Sequence, residues 1–165
     1  MELVFCRTSL RTSLVCTQTH LHPQVVYGGV FKNGDDLVNA TNVELVKTYL
    51  GNSAVNAMWQ TARAGQPETG FRPVSWGKGV VVPPATFTRA NGDIAVFNYF
   101  PTAGTFKVDL AAETKLGVGG KNGKIACVDV WEGTVVALDP TASTAALSLK
   151  IEGLGSMLVS CRTTD

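Results

Sequence analysis

Cys16, His20 and His22 are the closest approach in this sequence to a reactive or metal-binding cluster. His20 and His22 are two apart, so on a strand they share a face, and Cys16 would add a thiol donor. No fourth ligand lies near them in sequence, and two exposed imidazoles ahead of Pro23 are an ordinary arrangement, so no metal is assigned. The same three residues offer the one thiol–imidazole pairing in the chain, the arrangement that lowers a thiol pKa and makes a nucleophile. No histidine lies beyond position 22 and no Gly-x-Ser-x-Gly elbow occurs, so a serine nucleophile would lack its base.

Glycosidic hydrolysis needs two carboxyl groups facing one cleft. Of the 13 acidic residues, Asp109, Asp129 and Asp139 fall at strand ends or turns, where Asp bonds the backbone. Asp35 and Asp36 fall at a helix start. Nothing marks two of these acids as a pair, so no catalytic residue is assigned. Residues 117–124 suggest a phosphate-binding loop, but Val118 stands where its first glycine should be and Ile125 where its Ser/Thr should be. A strand rather than a helix follows, so a hairpin loop is the reading. No cofactor is implied. The ligand-binding candidates are Trp131, Trp76 and Trp59, since aromatic rings exposed on a β-sandwich are a common platform for sugars. Trp131 follows Val128-Asp129-Val130 at a strand end, where it serves either as core edge or as such a platform.

The elements that would position these residues are short. Apolar runs at 93–100, 104–110, 124–131, 147–151 and 156–161 are rich in β-branched or aromatic residues and bounded by Gly, Asn, Asp or Pro. That spacing predicts an antiparallel β-sandwich of Greek-key type. Residues 80–82 and 85–89 flank Pro83-Pro84 as edge pieces, and Asn91-Gly92 predicts a two-residue hairpin turn joining 86–89 to 94–98. Upstream, residues 2–6 and 13–17 read as a hairpin, and residues 24–27 form a short apolar run closed by Gly28-Gly29. Leu37, Val38, Thr41, Leu45, Val46 and Tyr49 recur at helical spacing, with Gly51 as the stop. This is one clear amphipathic helix, and its apolar stripe must be covered by something. A weaker helical segment spans about 53–64, and residues 65–79 are loop-like. The expected organisation is mainly β, a mixed segment over 1–75 preceding an antiparallel β-sandwich over 76–165.

Hydrophobic residues make up 45% of the chain and charged residues only 16%, so either some surface is unusually apolar or part of the chain packs against something else. A formal net charge of +1 gives no field for nucleic acid or an anionic membrane. No run approaches the roughly 18 apolar residues that span a bilayer. Glu2, Arg7 and Arg11 make the first residues a poor signal peptide, and the sequon at Asn39-Ala40-Thr41 falls in a predicted helix. Cys6, Cys16, Cys127 and Cys161 match no zinc spacing. Cys127 and Cys161 sit inside apolar strand patterns and read as buried free thiols, while a Cys6–Cys16 bridge stays open.

Several segments, taken in order, resemble the C-terminal β-domain of clan-D glycoside hydrolases, the α-galactosidase-like families. Asn91 to Asn98 resembles their "gdiAvalfN" strand, Phe106 to Leu110 the following "vtvdl" strand, and Val128 to Gly133 their "vrDlWeg" motif. Leu147 to Ile151 with Gly155 to Val159 resembles the closing strand pair, although Leu154 and Gly155 stand where a histidine is expected. His22 to Gly29 resembles the last strand of the family's catalytic barrel, and Asp35 to Leu50 the helix after it. The similarity runs from about residue 22 to 161.

The resemblance implies a non-catalytic C-terminal portion of a larger enzyme: the end of a (β/α)₈ barrel plus its sandwich, inactive alone and structural for the parent barrel. The family's two catalytic aspartates lie on earlier barrel strands, which no position here matches. The implied partner is that barrel, or a second copy meeting this chain through the apolar helix face. Two alternatives stand beside it: a free-standing sandwich that binds carbohydrate or a protein, and a small enzyme built on Cys16 and a histidine.

Overall fold

The structure, a computed structural model, describes residues 25–26, 40, 43–44, 47–48, 51–61, 69–74, 83–116, 124–139 and 145–164. Its named strands are β1 (Arg72–Pro73), β2 (Thr86–Thr88), β3 (Asp93–Phe97), β4 (Gly104–Asp109), β5 (Lys124–Asp129), β6 (Val135–Val136), β7 (Ala146–Ile151) and β8 (Ser156–Thr164). Helix α1 spans Ser53–Thr61 and the short α2 spans Leu110–Glu113. Six strands form one sheet in the order β1-β2-β3-β8-β5-β6, and β4 pairs with β7 in a second sheet. Every pairing is antiparallel.

Alternation explains the first core. On β7, Leu147, Leu149 and Ile151 are buried while Ser148 and Lys150 are exposed, so one face of the small sheet is apolar and the other wet. With Val108 of β4 beside them, these buried residues meet Ile94 and Val96 of β3 and Val159 of β8 between the two sheets. Strand β3 does not alternate; all five of its residues are buried. Its other face, with Ala95 and Phe97, joins Phe87 and Leu158 in a second core beneath Val55 and Met58 of α1. A strand covered on both sides reads as a continuous apolar run, as this one does.

The mainly β, antiparallel fold class is as the sequence predicts, and so is a helix at the weaker segment near 53–64. Residues 40, 43, 44, 47 and 48 are helical, within the expected amphipathic helix. Its stripe residues Leu37, Leu45 and Tyr49 lie outside the described residues. Gly51 does close that helix: its N–H donates to the Lys47 carbonyl at 3.0 Å, and a Cβ there would run into the same carbonyl. No helix among the described residues is long and apolar enough to cross a membrane.

Several expectations are corrected. Val25 and Val26 are helical and buried in the second core, not a strand; a four-residue apolar run carries no period that separates the two states. The β2–β3 connection is a three-residue loop, with Arg89 paired to Asp93 and the Gly92 N–H donating to the Arg89 carbonyl at 3.0 Å. Only Gly92 has positive φ, at 93°, so the turn is not the two-residue type that needs it twice. The strand expected to reach Trp131 ends at Asp129, where the chain turns. Cys127 and Cys161 are not free thiols but a disulfide. They stand directly opposite each other on β5 and β8, both facing the first core, so the register places one sulfur against the other. Strand β1 lies before residue 75 yet belongs to the six-stranded sheet.

Candidate functional site

A cleft of about 410 Å³ opens between α1 and the large sheet, with Met58 and Thr61 on one wall and Asp93, Asp129, Ser160 and Arg162 on the other. Two carboxylates therefore do share a cleft, and their hydrogen bonds decide what they can do. Asp93 is 2% exposed, and both of its oxygens are taken. Oδ1 accepts from Ser160 Oγ at 3.0 Å and Arg162 Nη2 at 2.8 Å; Oδ2 accepts from Arg89 Nη1 at 3.0 Å and Asn91 Nδ2 at 3.0 Å.

Arg89, also 2% exposed, donates from the same Nη1 to the Met58 carbonyl at 3.2 Å and Thr61 Oγ1 at 3.1 Å, and its guanidinium lies 5.2 Å from the centre of the Phe71 ring. Burial pushes its pKa down, the Asp93 carboxylate opposes that, and Arg162 adds to the lowering. A carboxylate held by two guanidiniums and two neutral donors is spent on structure. It ties the β2–β3 hairpin to β8 and to the end of α1.

Asp129 is committed differently. Its Oδ1 accepts from the backbone N–H groups of Trp131 at 2.8 Å and Glu132 at 3.1 Å, closing the turn after β5. Asp109 caps α2 in the same way through the N–H groups of Ala111 and Ala112. The Asp129 turn presents Trp131 and Glu132 to a second, smaller groove of about 200 Å³. The rest of the lining comes from the end of β7, the β7–β8 connection and the start of β8, with Lys150, Glu152 and Ser156. Asn98 holds that connection in place: its Nδ2 donates to the carbonyls of Thr102, Ile151 and Glu152 at 2.7, 3.2 and 3.1 Å, and its Oδ1 accepts from the Phe100 N–H at 3.1 Å.

The structure separates the tryptophan candidates. Trp131 is half-buried, packs against the second core and lines the small groove. Trp59 is half-buried on α1 against the same core and lines neither cleft. Trp76, His20, His22 and Cys16 lie outside the described residues. Among the described residues no group of three or more His, Cys, Asp or Glu is placed to hold a metal ion. Sequence reasoning missed Arg89, Asn98, Ser160 and Arg162. The one signal was Asn91-Gly92-Asp93, in which Asn91 Oδ1 accepts from the Asp93 N–H and sets the aspartate at the strand start.

The sequence matches no protein-family model and no curated protein. Solved structures do match. Alpha-galactosidase I from Mortierella vinacea superposes with a TM-score of 0.59 at 16% identity, over 90% of this chain and 35% of its own. A structure described as a putative alpha-N-acetylgalactosaminidase from Bacillus halodurans gives 0.61 at 16% identity, over 89% and 30%. A GH27 β-L-arabinopyranosidase from Geobacillus stearothermophilus gives 0.59 at 18%, over 88% and 29%. The chain thus shares its fold with α-galactosidase-like glycoside hydrolases and spans about a third of their length.

Proposed function

We propose that this chain is the non-catalytic C-terminal portion of an α-galactosidase-like glycoside hydrolase, inactive alone and structural for a parent barrel. On this reading residues 1–75 are the end of the (β/α)₈ barrel, with Arg72–Pro73 pairing onto the edge of the sandwich sheet, and 76–165 its sandwich. The observation that carries it is the asymmetry of coverage: about nine-tenths of this chain matches about a third of each enzyme. Two features of the chain support it. The buried carboxylate in the larger cleft has both oxygens saturated by donors, and the other aspartate there closes a turn. Next to that cleft, Val128 and Val135 stand opposite each other across β5 and β6, 36% and 80% exposed, an apolar pair suited to contact with further protein.

The test is hydrolysis by the purified, folded chain on a panel of nitrophenyl glycosides that includes the α-galactoside. No turnover above buffer is expected. Turnover that survives repurification and is lost on denaturation would overturn the reading, because it would require a working carboxylate pair within these residues.

A further inference from the structure

We propose that the groove between the Asp129 turn and the β7–β8 connection binds the ring of a neutral hexopyranose. Sugar recognition combines an apolar aromatic surface for the C–H side of the ring with charged acceptors and donors for its hydroxyl groups. The groove brings these together: Trp131 supplies the aromatic surface, Glu132 and Glu152 the acceptors, and Lys150 the donor. Ser156, half-buried in the lining, has a buried Oγ with no hydrogen-bond partner among the described residues, and a χ1 rotation is the movement that would offer it to a ligand hydroxyl. At about 200 Å³ the space is smaller than the roughly 300–1,000 Å³ that encloses a drug-sized ligand, which suits one ring rather than an oligosaccharide.

Charge narrows the class further. Three carboxylates, Asp129, Glu132 and Glu152, against the single cation Lys150 favour a polyol over a uronic acid or a sugar phosphate. Both walls are also held in place independently of any ligand, one by Asp129 and the other by Asn98, so little ordering is needed on binding. The inference does not depend on the parent-barrel reading, since every residue it uses belongs to this chain.

The experiment is a titration of the ¹⁵N-labelled full chain with methyl α-galactopyranoside, methyl α-glucopyranoside and methyl α-mannopyranoside, followed by amide chemical shifts, with galacturonic acid as the anionic comparison. At least one neutral glycoside is expected to move the amides of residues 131–132, 150–152 and 155–157 with a dissociation constant on the order of 1 mM. Because Trp131 also packs against the core, W131A can fail to fold. The deciding variant is therefore E132Q/E152Q, which changes only exposed side chains and should weaken binding about tenfold or more. No shifts at these amides, shifts centred elsewhere, unchanged affinity in E132Q/E152Q, or tighter binding of the uronic acid would each overturn the proposal.

Discussion

Asp93 and Arg89 illustrate how a buried ion pair differs from a surface one. Both side chains are 2% exposed, so removing one partner leaves the other's charge in the interior without compensation. Asp93→Asn is expected to lower the unfolding free energy by about 3–5 kcal/mol. Arg162→Ala removes a partner that is 51% exposed, and the loss should be about 1 kcal/mol or less. Urea unfolding of the two variants checks the order, and a loss in D93N no larger than in R162A would refute this account of the network. None of this was legible in the sequence beyond the local turn. Residues 89, 93, 160 and 162 converge only because β8 lies beside β3, which is a property of strand order. The aspartates that bond their own backbone, Asp109 and Asp129, were legible because their partners are two and three residues away.

The strands themselves could be read from alternation and turn residues, but their order could not. β8, the last strand in the chain, is inserted between β3 and β5, and periodicity says which face of a strand is buried without saying which strand lies next to it. The Cys127–Cys161 disulfide follows from that order. It joins residues 34 apart in sequence and fastens the central strand to its neighbour. By loop-closure entropy alone a bridge of that span contributes about 3–4 kcal/mol. A reductant, or C127A/C161A, is therefore expected to lower the denaturation midpoint by a corresponding amount, and non-reducing peptide mapping should recover the two cysteines in one cross-linked species. A midpoint indifferent to reductant, with the two cysteines on separate peptides, would refute the pairing. Such a bridge forms and persists in oxidising surroundings, so material made in a reducing cytoplasm should start from the lower stability.

At the scale of the molecule, the central strands β3 and β8 of the large sheet are covered on both faces. The first core, between the sheets, is what a sandwich predicts. The second requires α1, whose Val55 and Met58 sit on Phe87, Ala95, Phe97 and Leu158. A boundary near residue 75 therefore divides the chain by resemblance while cutting through a core. A fragment of residues 76–165 would lose α1 and β1, leaving that apolar face of β2, β3 and β8 to water. Burial of a Val or Met side chain is worth about 1.5–3 kcal/mol, so the loss of Val55 and Met58 alone approaches the whole stability of a small domain. The fragment is expected to bind a hydrophobic dye, to aggregate, or to unfold at a denaturant concentration well below that of the full chain. Equal stability of the fragment and the full chain would mean instead that the helix only rests on the sandwich. The predicted failure would make α1 and β1 part of the sandwich fold itself.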